Sequence, residues 1–207
     1  MDEATEALRG ADPVLAGLIA AIGDEPEPAR SDRPAPGEHY AALVRTIAGQ
    51  QLSVRAARAI WTKLLAAFDG LAPTPEQVLA ADPERLRAAA GFSRAKVTYL
   101  RSLAEHVLSG ELELGRLDEL PDETVIAELT AVRGIGEWSA HMFLMFQLGR
   151  PDVLATGDLG IRRAVQLAYG LPGLPAPAEV TRLAEAWRPH RTAACRLLWR
   201  SLELTPQ

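Results

Sequence analysis

Apolar residues recur at intervals of three and four along most of the chain, and no stretch alternates with the period of a strand. Tyr40, Leu43, Val44 and Ile47 share one face of a helix that opens near His39 and closes at Gly49. Ala57, Ile60, Trp61, Leu64 and Leu65 define a second helix over 54–68, with Ser53 placed to cap it. Val97, Leu100, Leu103, Ala104 and Val107 mark a third over 95–107, and Val125, Ile126, Leu129 and Val132 a fourth that starts after Pro121. Thr74-Pro75 and Asp82-Pro83 each set a capping side chain before a proline at the first helical position, which predicts two short helices. An amphipathic stretch over 14–22 opens the chain, and helices over 159–169, 180–187 and 191–202 close it, the last two divided at Pro189. The pattern predicts an all-α protein of about ten helices.

Three interruptions carry chemistry. Gly49-Gln50-Gln51-Leu52 is a tight turn between two helices. Gly134-Ile135-Gly136 separates a helical pattern that ends near Thr130 from one that starts near Glu137. Glycines at both places allow a turn with positive φ, too tight for a side chain. They also expose backbone N–H groups at a helix start, where the dipole adds positive charge and suits a phosphate. Further on, Gly157-Asp158-Leu159-Gly160 puts an acid at the mouth of the next helix. Spacing alone leaves Asp158 two readings, a helix N-cap or a carboxylate with a chemical task. Asp152 is explained by its Pro-Asp turn. Arg94, Lys96 and Arg101 read as a solvated face. The segment 25–37, EPEPARSDRPAPG, is rich in proline and charge and reads as a linker. Residues 1–38 are thus an N-terminal helix and linker, and 39–207 the main domain.

Net charge is −5, against a chain that holds nucleic acid by bulk basicity. The distribution is uneven: residues from 129 onward carry nine arginines and six acids, a local +3, while the rest sums to −8. Salt screens charges beyond ~10 Å, so the local sign matters more than the total. A single cysteine, Cys195, excludes an internal disulfide and any zinc or iron–sulfur site of several thiolates. No apolar run approaches a membrane span, and the first residues, MDEATEALRG, are acidic where a signal peptide is basic. A soluble, reducing, cytoplasmic setting is expected, at the nucleoid if the source is prokaryotic. No metal site is expected.

In order along the chain, TIAGQQLSVRAARAI from Thr46, the hairpin at Gly134–Gly136, the Asp158 loop and EAWRPHRTAACRLLW from Glu185 resemble segments of the helix-hairpin-helix DNA glycosylase superfamily. Its alkylation-repair branch, DNA-3-methyladenine glycosylase II, is the most similar. The resemblance implies two lobes with a DNA-binding cleft between them, the N- and C-terminal segments forming one lobe and the middle segment with the hairpin the other, without the N-terminal sheet domain of larger members. It implies hydrolysis of the N-glycosidic bond of alkylated purines such as 3-methyladenine in double-stranded DNA, by base flipping, leaving an abasic site. Asp158 is then catalytic. Trp138 and Trp199 match base-pocket aromatics, with Tyr40 and Phe143 as further candidates, and Met142 stands where a relative has tyrosine. Gln51 matches the residue that fills the gap in the duplex, with Leu52 beside it as a second candidate. Gly134 and Gly136 would bind backbone phosphate, and Arg191 would position Asp158 or a phosphate. Strand-cutting relatives have a lysine where this chain has Trp138, so no Schiff base is expected there. The resemblance also implies a monovalent cation on hairpin carbonyls, a monomer and no further cofactor. Its alternatives are excision of deaminated or ethenoadenine lesions, and a damage-binding module without turnover.

Overall fold

The computed structural model describes residues 3–23, 35 and 37–204, and over these the backbone is helices joined by turns, with no strand. Most of the expected linker at 25–37 lies outside the described residues. In chain order the helices are α1 (Glu3–Ala11), α2 (Pro13–Ile22), α3 (His39–Gly49), α4 (Val54–Ala66), α5 (Pro75–Ala80), α6 (Pro83–Ala90), α7 (Arg94–Ser109), α8 (Asp122–Ala131), α9 (Glu137–Phe146), α10 (Leu159–Ala168), α11 (Pro177–Leu183) and α12 (Arg191–Leu204). Short 3₁₀ segments occur at Leu114–Arg116 and Ala184–Trp187. Helix α1 is absent from the sequence reading because only Leu8 on it is buried, too little to set a period. The chain divides into two compact units, residues 30–148 and the pair of segments Met1–Ala29 and Gly149–Gln207.

In the unit of residues 30–148, α3 packs against α4, α7 and α9, and α8 against α9. Leu43, Val44, Ile47, Leu64, Leu100, Leu103 and Leu129 are fully buried there. The caps fall where the sequence placed them. Thr74 and Gln77 form a reciprocal capping box on α5, Asp82 caps α6 and Ser53 caps α4. His39 is a core residue, its ring edge-on to Phe143 with centroids 5.6 Å apart and its Nε2 2.7 Å from Asp118 Oδ2. Lys96 and Arg101 are not a solvated face. Helix C-termini leave carbonyls without partners, and these two side chains supply donors: Lys96 Nζ to Ala48 O at 2.7 Å at the end of α3, and Arg101 Nη1 to Leu79 O at 3.1 Å at the end of α5.

In the other unit, α12 packs against α2 and α10. Its centre is Asp12, which is 7% exposed. Asp12 Oδ1 caps α2 by accepting from the N–H of Val14 at 2.8 Å, and Oδ2 accepts from Trp187 Nε1 at 3.0 Å and from the Tyr169 hydroxyl. Burial pushes the carboxyl up, but hydrogen bonds from Tyr169, Trp187, Val14 and Leu15 outweigh it and hold Asp12 below the usual carboxylate range. A depressed folded-state value stabilises at neutral pH, and the contribution is lost as pH falls below about 4 toward that lowered value. Asp12→Ala removes a cap and strands the fully buried Trp187 N–H, so a loss of about 3 kcal/mol is expected in urea melts at pH 7. The wild-type-to-variant difference should shrink in melts below pH 4. A constant difference would show that the carboxylate charge contributes nothing.

Candidate functional site

One group of the expected site residues belongs to the unit of residues 30–148. Helix α8 ends at Val132, and the hairpin returns through Gly134, at φ +93°, to Gly136, the N-cap of α9. The two glycines have different reasons. A Cβ on Gly134 would lie 2.1 Å from Tyr99 Cγ on α7, so the hairpin lies flat on an aromatic ring. Gly136 is not in the left-handed region, at φ −97°, and nothing stands within 4 Å of its missing Cβ. Its expected positive φ is therefore absent, because the turn is closed one step earlier. No side chain caps α9. Its first-turn amides face the open side of a helix N-terminus, a geometry suited to a phosphate oxygen. The carbonyls of Val132 and Gly134 accept hydrogen bonds from Ile135 N–H and Gln50 Nε2. Among the described residues no group of three or more His, Cys, Asp or Glu could hold a metal.

The GQQL turn lies against this hairpin. Gln50 Nε2 donates to Gly134 O at 2.7 Å, while Gln51 is exposed with its backbone at φ +58°, a conformation that costs a non-glycine residue roughly 1 kcal/mol. Leu52, 39% exposed, follows it. Of the two glutamines, Gln50 satisfies a backbone group and Gln51, the one the resemblance singles out, is exposed. Trp138, in the first turn of α9, is 45% exposed, and Met142, one turn further, is half-buried. Phe143 is corrected: it is 2% exposed and packs in the core, so its ring is not available to a base. Tyr40 is also elsewhere than expected. It sits in the first turn of α3, about 15 Å along the helix from the GQQL turn, and lines a groove of ≈ 770 Å³ with Trp61, Leu65, Leu71 and Pro73.

A second group lies in the unit that holds residues 149–207. Asp158 caps α10, Oδ1 accepting from Ile161 N–H at 2.7 Å and from Trp199 Nε1 at 3.0 Å. Both sequence readings of Asp158 are thus compatible, since one oxygen holds the cap and the carboxylate plane is fixed by doing so. Trp199, expected only as pocket surface, is a hydrogen-bond donor to this acid. Gly160 is the residue that sequence reasoning missed. A Cβ there would stand 2.9 Å from Asp158 Oδ1 and 3.3 Å from Trp199 Nε1, so glycine is what lets acid and indole meet. The signal was present in the GDLG spacing. Leu159, beside the acid, is 64% exposed.

Arg191 is corrected as well. Its Nε and Nη2 meet Asp152 Oδ1 and Oδ2 at 2.6 and 2.9 Å, and Arg188 Nη1 adds a contact to Oδ2 at 2.8 Å. The guanidinium is taken up by this two-point pair, and its partner is Asp152 and not Asp158. Burial raises the Asp152 carboxyl, and the hydrogen bonds and charges of Arg191 and Arg188 bring it below its usual range. Asp152 is therefore more than a turn residue: with Thr192, whose Oγ1 donates to Arg150 O at 2.7 Å and accepts from Val153 N–H at 3.1 Å, it fastens the strap before Asp158 to α12. Cys195 is buried and its thiol is pushed up to about 12 by burial, which keeps it un-ionised and inert.

Residues 44–189 match the model of the HhH-GPD superfamily of base excision DNA repair proteins. DNA-3-methyladenine glycosylase 1 of Schizosaccharomyces pombe is 38% identical over 169 residues, spanning 81% of this chain and 74% of that protein. A solved structure of the 3-methyladenine DNA glycosylase of Schizosaccharomyces pombe in complex with abasic DNA matches with a TM-score of 0.87 at 34% identity, covering 99% of this chain and 98% of that one. That of a DNA-3-methyladenine glycosidase from Bacillus halodurans matches with a TM-score of 0.81 at 36% identity, over 97% and 89%. With the family model matching residues 44–189 and relatives above 30% identity covering most of both chains, the chain belongs to the HhH-GPD superfamily of base excision DNA repair proteins.

Proposed function

We propose that this chain is a monofunctional DNA glycosylase that acts as a monomer on duplex DNA, flips out an alkylated purine such as 3-methyladenine and hydrolyses its N-glycosidic bond to leave an abasic site. The observation that carries the reading is the Asp158 carboxylate, held by Ile161 N–H and Trp199 Nε1 at the mouth of α10. When the bond from the sugar C1′ to the base nitrogen breaks, the electron pair leaves with the base and positive charge develops on the sugar. A fixed carboxylate stabilises that charge and orients the water whose oxygen bonds C1′, its proton passing to solvent. A cationic 3-methyladenine departs neutral, so little help from a general acid is needed. The half-exposed indole of Trp138 offers a face to such an electron-poor ring. The hairpin amides grip phosphate without reading sequence, and Gln51 with Leu52 fills the place of the flipped nucleotide.

The test is base release from duplexes that each carry one lesion: 3-methyladenine, 7-methylguanine, hypoxanthine or ethenoadenine. Release of 3-methyladenine with an abasic, uncut strand is the expected result. Release of hypoxanthine or ethenoadenine alone would move the reading to deaminated or exocyclic lesions. Tight binding to abasic duplex with no base released would make the chain a damage-binding module.

A further inference from the structure

The turn that carries Gln51 is fixed from two sides. On one, Lys96 Nζ donates to the Ala48 carbonyl at 2.7 Å. On the other, Gln50 Nε2 reaches across 84 positions of sequence to the Gly134 carbonyl at 2.7 Å and lies 3.4 Å from Ser139 Oγ in the first turn of α9. Gln51 follows directly after these supports at φ +58°. A left-handed backbone in a residue other than glycine persists where its surroundings over-determine it. Local capping does not account for Gln50. Its backbone N–H makes a long 3.4 Å bond to Ile47 O, and its amide group bonds the hairpin and not the end of its own helix.

We infer that Gln50 is a positioning residue that joins the Gln51 turn to the Gly134 hairpin as one rigid element, so that the grip on phosphate sets where Gln51 enters the duplex. The inference rests on the glycosylase reading above and adds to it a residue that acts through the hairpin and the Gln51 turn. Because the joining bond is a donor on residue 50 and a carbonyl on residue 134, any side chain that donates over the same reach should serve, and one that only accepts should not. Residues that share one network fail to add in double-mutant cycles, whereas independent contacts add.

The experiment is a cycle of Gln50→Ala, Gln51→Ala and the double variant, read as affinity for an abasic duplex divided by affinity for the same single strand, with melting recorded for each. Gln50→Ala is expected to lower this ratio on the order of 10-fold, and Gln51→Ala to change it less than about two-fold in the Gln50→Ala background. Gln50→Glu should behave like Gln50→Ala, and Gln50→Lys, which restores a donor, should recover most of the ratio. A merely structural role would lower melting temperature and leave the ratio alone. An equal Gln51→Ala factor in both backgrounds, or a folded Gln50→Lys that recovers nothing, overturns the inference. Should the wild type release no base, the glycosylase reading fails, yet the affinity cycle needs no turnover and still decides the coupling.

Discussion

Asp158→Asn is expected to fold and melt like the wild type while excising 3-methyladenine ~10² to 10³ times more slowly, the loss of one preorganised electrostatic stabiliser worth ~3–4 kcal/mol. The physical basis is the division of labour within one side chain. Oδ1 accepts from Ile161 N–H and Trp199 Nε1, and an asparagine oxygen accepts both. Asparagine also caps helices about as well as aspartate. What disappears is the negative charge, and with it the attraction to a developing oxocarbenium ion. Asp152→Asn provides the contrast. Its carboxylate faces the guanidinium groups of Arg188 and Arg191, so that variant should lose about 2 kcal/mol of stability and keep the excision rate of its folded fraction. Borohydride should trap no adduct with the wild type, because residue 138 is an indole. A folded Asp158→Asn that releases base at the wild-type rate would remove the carboxylate from the mechanism.

Gly134→Ala is expected to be the most disruptive conservative change in the chain. The backbone at φ +93° disfavours a side chain by itself, and the new Cβ would overlap the Tyr99 ring at 2.1 Å, a separation that nonbonded atoms do not adopt. Strain and displaced packing together should cost about 4 kcal/mol, or a fall in Tm of roughly 8–16 °C. Adding Tyr99→Ala relieves the overlap and leaves the φ strain, so the double variant should recover part of the loss. Gly136→Ala has open space and should melt near the wild type. On the proposed phosphate grip of the hairpin, the added methyl group should weaken damaged and undamaged duplex alike. If Gly134→Ala melts like the wild type, the hairpin does not rest on Tyr99 as described.

Local features were legible in the sequence. Thr74, Asp82 and Ser53 cap helices as their spacing required, and the capping position of Asp158 follows from GDLG alone. Features whose cause lies far along the chain were not. Which hairpin glycine is indispensable depends on Tyr99; the partner of Gln50 is a carbonyl at Gly134; and Arg191 turns to Asp152 through a pairing made only when α12 meets the strap. Phe143 shows the same limit, since an aromatic at helical spacing looks identical in sequence whether it meets a ligand or the ring of His39. Charged residues at 96 and 101 were read as solvated because the helix ends that need their protons are 48 and 22 positions away.

The buried acid at Asp12 has a consequence for biosynthesis. Its partner Trp187 lies 175 residues later, so Asp12 leaves the ribosome before the indole that donates to it has been made. The continuous stretch 30–148 is made in full before Trp187, and domains generally fold as units during synthesis. The unit that holds Asp12 therefore closes only after residue 187 has been made, and a ribosome stalled before Trp187 holds α1 and α2 without the indole that completes their core.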